Sequence, residues 1–477
     1  MGGESSKGGE KTILNLKPEE RVCIQQIYQT ISDGQTHFSK EQFQTYTSKH
    51  QLDESLSSKL FGNVLHNGDL HSSDQSSVNP GSSSIGEFEV MCSKLLKGCS
   101  TEKVIILRKL SSKNLEASAT ELQQCLCSLL RSYVGVVQNS IQYQTWKCHC
   151  AEDACDRLVR YLLQDLFQTN LKHQSGDSSQ CVPVSVSYSD FVLEDWFVKS
   201  PMTQHIFDLI FHSIFPIDID NSSRLLKPMI PVVTDTNWTK FNTILGLEDI
   251  MYLHHTLPAS FKSEWRLLFS NTLYGDSFTQ LVSHIVKKGP NLLVIRDKDG
   301  YVFGGFNNEG WEINSKFSGS SNCYLFTLQP QCSMYTATGY NSNFVYFNKG
   351  VQTLPNGLGM GGQLDYFGLW IDQSFNIGHS KAQPKCTTYG SPQLSAKPEF
   401  QVDIVEVWGV GKNPQEVDSD DEDTQNKQKS ILDRDPESKA MLELLGKTQV
   451  SEGLREPEEE VMTEELKKKY NTIQKLI

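Results

Sequence analysis

The hydrophobic period changes part-way along the chain, and this limits it to folds that build helices first and a sheet afterwards. Up to about residue 215 the apolar residues recur at helical spacing. Leu122, Leu126, Leu130, Tyr133, Val134, Val137 and Ile141 form one stripe, and Leu158, Leu162, Leu163 and Leu166 form another. A third helical stretch covers 189–215, interrupted at Ser200-Pro201. Beyond residue 241 the apolar runs are short, aromatic and punctuated by glycine. Residues 292–296 and 301–306 flank Asp297-Lys298-Asp299-Gly300, a polar loop ending in Gly that signals a hairpin. Runs at 324–328, 344–347, 366–371 and 401–408 continue the pattern. The expected fold class is α+β: an all-α module, then a β-sandwich-type α+β domain, then a helical tail.

The boundaries follow composition. Residues 1–11 read as an N-terminal arm, 12–215 as the helical module and 216–240 as a Pro- and Asp-rich connector. The β-rich domain spans 241–411. Residues 412–455 form an acidic linker with a short helix at 436–445, and its run 418–423 is a solvated charge block. Residues 456–477 read as an amphipathic helix with Val461, Leu466, Tyr470, Ile473 and Leu476 near one face. That stripe must be covered, either by the chain's own body or by a partner groove.

Charge and hydropathy exclude two classes. Forty-four basic against 57 acidic residues leave a formal charge of −13. This disfavours general nucleic-acid binding, which needs cations to displace phosphate counterions. Mean hydropathy is −0.40, and no apolar run reaches the length of a membrane-spanning helix. Met1–Lys11 carries no apolar signal core, so the 12 cysteines are expected as reduced thiols in the cytoplasm.

The chain starts Met1-Gly2-Gly3-Glu4-Ser5-Ser6, the pattern for N-myristoylation at Gly2. One myristoyl chain holds a membrane only marginally. The usual basic second signal is missing, because Lys7, Lys11, Lys17 and Arg21 are matched by Glu4, Glu10, Glu19 and Glu20. The expected second contact is a membrane-resident protein.

Residues 18–49 read as a helix–loop–helix of EF-hand type. With Phe38 at the eighth loop position, Ile31 is first, Asp33 third and Gln42 twelfth. Calcium needs oxygen ligands and a bidentate Glu at those places, so this hand is degenerate. After the serine-rich stretch 72–84, a second degenerate hand is expected with Val78 first, Pro80 third and Glu89 twelfth.

Other candidate chemistry reads as structural. Gly357-x-Gly-x-Gly-Gly lacks the Lys-Ser/Thr ending of a phosphate loop and precedes a strand pattern rather than a helix. Cys148-His149-Cys150 with Cys155 has no zinc-knuckle spacing. Asp297 and Asp299 suit a turn. Cys323 sits in an apolar run and reads as buried. Cys386, beside Lys385 in a polar loop, is the better redox thiol. No catalytic residue, no metal ligand set and no cofactor beyond the acyl group is expected.

Ordered blocks from 257 to 409 resemble the TLDc family of the oxidation-resistance proteins. They include Trp265-Arg266-Leu267-Leu268-Phe269, Gly275-Asp276-Ser277-Phe278, Gly300-Tyr301-Val302-Phe303-Gly304-Gly305-Phe306, Phe367-Gly368-Leu369-Trp370 and Glu406-Val407-Trp408-Gly409. The arm, the EF-hand-like module and the tail together resemble one branch, the mTOR-associated TLDc (eak-seven homologue) proteins. The resemblance implies a non-enzymatic, lipid-anchored regulator on the lysosomal membrane. Its implied partners are the mTOR machinery or the vacuolar proton pump. The alternative it implies is oxidative-stress protection by a redox-active TLDc domain.

Overall fold

The computed structural model describes residues 15–65, 82–148, 154–171, 186–217 and 226–413. Residues Met1–Asn413 form one compact unit. Its helical part is made of paired helix–loop–helix units. Helices Pro18–Ser32 and Lys40–Lys49 flank the first loop, and Phe38–Ser39 from that loop pairs antiparallel with Ser82–Ser83. Ser82–Ser83 leads into helix Ile85–Lys97. The same device recurs. Ala117–Ser118, between helices Ser100–Ser111 and Ala119–Val137, pairs with Ser187–Tyr188, which leads into helix Asp190–Lys199.

Each exit helix starts at a serine, and in two of them its side chain replaces a missing backbone partner. Ser39 and Ser118 accept hydrogen bonds from the N–H groups of Gln42 and Glu121. The carboxylates of Glu87 and Glu121 in turn accept from the N–H groups of Ser84 and Ser118. This corrects the second hand. Ser83 lies opposite Phe38 and Ser84 is the N-cap, so the twelfth position is Glu87, two residues before the expected Glu89. Ile141 also leaves its expected stripe. The long helix ends at Val137, and Ile141 starts a separate four-residue helix, largely exposed. The break at Ser200-Pro201 is present, separating Asp190–Lys199 from Pro201–Ile214.

Among the described residues the β-rich part holds 12 hydrogen-bonded strands, ten on a path that folds over on itself and two branching from its long strand. One sheet runs Ser333–Thr336, Tyr324–Gln329, Val302–Asn307, Asn291–Asp297, Glu399–Val410, Glu264–Ser270 and Val232–Thr234. The other runs from the start of Glu399–Val410 through Ile377–His379, Tyr366–Asp372, Gly357–Gln363 and Val345–Asn348 to Asn314–Ser318. The long strand passes between sheets at register shifts after Val402 and Val407, as bulges permit. The 297–300 turn is the expected hairpin, with Gly300 at φ 89°.

The alternation of side chains in strand Asn291–Asp297 sets the layers. Leu293 and Ile295 face the second sheet with Phe303, Leu358, Met360 and Leu369. Leu292 and Val294 face the helices and share one continuous core with them. The expected connector is part of that core. Met229, Ile230 and Val233 are buried, and Val232–Thr234 adds the sheet's one parallel pairing.

Gly304 and Gly305 let strand Val302–Asn307 lie tightly between neighbours. A Cβ at Gly304 would stand 1.9 Å from the Leu293 carbonyl oxygen, whereas at Gly305 it would meet the Met360 Sδ at 2.4 Å. Backbone cannot yield but a methionine can. Gly304→Ala is therefore expected to destabilise by roughly 1–3 kcal/mol, and clearly more than Gly305→Ala, in urea unfolding of the purified chain.

Candidate functional site

The seam between helices and sheet is held by indoles, three of which donate their N–H to an acceptor while filling an apolar slot. Trp146, just after the short helix Ile141–Gln144, lies 5.8, 5.8 and 5.1 Å between ring centroids from Trp238, Trp265 and Trp408. Its Nε1 donates to the Pro231 carbonyl at 2.8 Å, and Trp238 Nε1 donates to the Thr145 carbonyl at 2.9 Å. The Val233 amide donates to Thr145 Oγ1. Two residues of the helical part are thus riveted to the last third of the expected connector.

Glu406 is buried within this cluster. Its carboxylate accepts from Thr243 Oγ1 and the Ile244 amide, both at 2.7 Å, and from Trp408 Nε1 at 2.9 Å. Burial nevertheless dominates and pushes its pKa up to about 7, against the pull of those three donors and of Arg296.

A second polar nucleus ties three helices together. Cys127 Sγ donates to Asp156 at 3.1 Å, Cys155 Sγ lies 3.6 Å from Glu248, and Arg157 pairs with Asp249 at 3.8 Å. Asp156 and Arg157 lie on helix Ala154–Leu171, and Glu248 and Asp249 on helix Leu247–Thr256. Burial pushes the Cys127 thiol up to about 12 and the Cys155 thiol to about 11, with the neighbouring carboxylates adding to the rise. These thiols stay neutral donors rather than nucleophiles.

Two clefts flank helix Ala154–Leu171. One, of about 400 Å³, is lined by Tyr161, Asp165, Lys199, His255, Ser333 and Tyr335, and so reaches the sheet-edge strand. The other, of about 370 Å³, lies between Arg157 and Arg160 on one side and Asp299, Tyr301 and Gln329 on the other. Both are polar, mixed in charge and open, which suits docking of a surface.

Gly2 and the tail residues Val461, Leu466, Tyr470, Ile473 and Leu476 lie outside the described residues. Cys386 is 1% exposed and packs beneath Gly361 and Gly368, where an added Cβ would stand 2.8 and 2.9 Å from its Sγ. The exposed loop setting expected for it is therefore not what the structure has. Cys323 is buried, as its apolar run implied, and burial raises its thiol pKa. Asp297 accepts from the Tyr301 amide across the turn, and Lys397 pairs with Asp299. The Gly357 segment is a strand whose glycines make room for Trp370 and Tyr389.

Cys148 is half-buried with its thiol pushed up to about 11, and 149–153 lie outside the described residues. Among the described residues no group of three or more His, Cys, Asp or Glu is placed to hold a metal ion. In the first hand Ile31 is buried and the Gln42 amide oxygen is used by the Ser39 N–H. The second pair of hands escaped sequence reading. Its available signal was the third Ser-x-x-Glu/Gln box, Ser118 to Glu121.

A family model of the TLDc domain matches residues 238–411. The MTOR-associated protein MEAK7 of Gallus gallus is 35% identical over 477 residues, covering 96% of this chain and 99% of that protein. Its Homo sapiens counterpart is 36% identical over 472 residues, covering 96% and 100%. Oxidation resistance protein 1 of Rattus norvegicus is 30% identical over 155 residues, 32% of this chain and 17% of that one.

Glu406 binds its proton more tightly folded than unfolded, where its pKa is near 4.5. Its contribution to stability is therefore fullest below about pH 4.5 and falls as pH rises through about 7. Relative to Glu406→Gln, the wild type is expected to lose on the order of 1 kcal/mol per pH unit across that window, measured from urea midpoints at pH 5, 6, 7 and 8. Calorimetric titration with calcium chloride is expected to give heats of dilution alone; a saturable binding heat would contradict the degenerate-hand assignment.

With the domain matched at 238–411 and homology running through nearly the whole length, the chain is a TLDc-domain protein and belongs to the mTOR-associated MEAK7 family.

Proposed function

We propose that this protein is a non-enzymatic adaptor, anchored through a myristoylated Gly2 to the cytoplasmic face of the lysosomal membrane. There it supports mTOR signalling, and its TLDc part and C-terminal helix contact the mTOR machinery, the vacuolar proton pump, or both. The observation that carries this reading is near full-length identity of about 35% to proteins named for association with mTOR.

The internal chemistry supports it. Glu406, Asp156 and Glu248 are engaged in packing, and the clefts beside helix Ala154–Leu171 are open. The chain needs no cofactor beyond its acyl group in this reading. Weak contacts at the two ends of one chain gain strength together through effective concentration. The likeness of 238–411 to an oxidation-resistance protein keeps redox protection as the alternative, but burial of Cys386 removes the accessible thiolate that mechanism requires.

Gly2→Ala is expected to shift the protein from the membrane to the soluble fraction. Deleting 456–477 is expected to weaken co-purification with mTOR or pump subunits from lysosomal membranes. Undiminished recovery of both sets of subunits with the truncated chain would remove the tail as a contact.

A further inference from the structure

The second pair of hands ends in an apolar tip. Leu115 is 86% and Phe191 81% exposed, the most exposed leucine and phenylalanine among the described residues. One guanidinium holds their backbones together. Arg108 Nε pairs with Asp190 and its Nη1 donates to the Asn114 carbonyl, both at 2.6 Å. Leu115 follows Asn114 and Phe191 follows Asp190, so both side chains leave the surface next to the same buried cation.

The scaffold does not require them. The bridge Ala117–Ser118 with Ser187–Tyr188 repeats the bridge Phe38–Ser39 with Ser82–Ser83. Counting from those bridges, Leu115 corresponds to Thr36 and Phe191 to Gly86. The first pair builds the same frame with a hydroxyl and a hydrogen at these positions. Two exposed apolar side chains set beside one buried cation are a surface feature that the first pair lacks.

We infer that the tip of Leu115 and Phe191 inserts into the interfacial layer of a lipid bilayer as the second membrane contact of this protein. The inference rests on the reading of Gly2 as an acyl anchor. A tip that projects, instead of forming a groove, suits a deformable lipid surface. The N-terminal arm supplies no cationic second signal, and an apolar tip strengthens a single acyl chain alongside contacts to a membrane-resident protein. The nearby carboxylates are largely engaged: Asp190 by Arg108, Asp195 by Lys199 and Glu194 by Thr101. Lys113 and Glu116 stand on either side of Leu115 in the sequence.

The test is flotation of the full-length chain, produced with N-myristoyltransferase, on neutral phosphatidylcholine vesicles. Wild type, Leu115→Ser/Phe191→Ser and Gly2→Ala are compared, with thermal melting to show that each is folded. The double variant is expected to float at least roughly tenfold less than wild type, and wild-type binding to survive 0.5 M salt, taken as about the point where surface charge is screened out. If the double variant floats like wild type, the tip inference falls and the acyl anchor stands. If Gly2→Ala floats like wild type while the double variant does not, the acyl anchor falls and the tip stands. Acylated wild type that fails to float overturns the inference. So does sedimentation showing a wild-type dimer that the double variant dissolves, since the tip would then be covered by a second copy.

Discussion

Leu292, Leu293, Val294 and Ile295 are four consecutive, fully buried side chains, and their alternation decides the architecture. Two face the helical layer and two face the second sheet. Each such burial contributes about 1.5–3 kcal/mol relative to exposure, so neither covering layer can be removed without exposing one whole face. Phe306, Tyr324, Phe326 and Trp408 extend the helix-facing side. The helical region is therefore a structural covering of the TLDc sheet as well as a module in its own right. The Trp146–Trp238–Trp408 contacts fix the seam at the point where the chain passes from one region to the other.

Much of this was legible because period carries over directly into layers. The stripes at 122–137 and 158–166 became buried helix faces, and the hairpin at 297–300 formed where its turn residues required. What was not legible depended on partners distant in sequence. A Pro-rich stretch read as connector became a strand because Glu264–Ser270 offered it an edge and Trp146 offered its indole. The hand register was displaced by two residues because apolar Ile85 was matched to Phe38, whereas Ser83 is the residue opposite Phe38. Only the cap geometry distinguishes the two glutamates: Glu87 closes on Ser84, while Glu89 turns toward Arg21. Cys386 was read from its neighbour Lys385, yet its exposure is set by the glycines of two strands some twenty residues away.

Groups that could do chemistry are drawn into packing. A carboxylate with three donors and no counter-cation in contact, such as Glu406, holds residues 243–245 against the sheet while remaining near its protonation midpoint at neutral pH. Thiols beside carboxylates, as at Cys127 and Cys155, are driven away from ionisation and become weak donors. Reactivity is given up for cohesion at both places, and the surface carries what recognition the protein has.

The hand pairs show how such a surface can arise. An EF-hand loop that binds calcium is constrained at six positions by the ion. With Ile31 and Gln42 at the ends of the first loop, that constraint is gone, and the capping boxes and two-residue bridges keep the helices in register instead. The sixth and eleventh loop positions, which supply no ligand even in a calcium-binding hand, also differ between the pairs. The first pair presents Thr36 and Gly86 to solvent, and the second presents Leu115 and Phe191 on the same frame. Caps and short bridges thus hold the frame of both pairs and leave the loop tips available for contact.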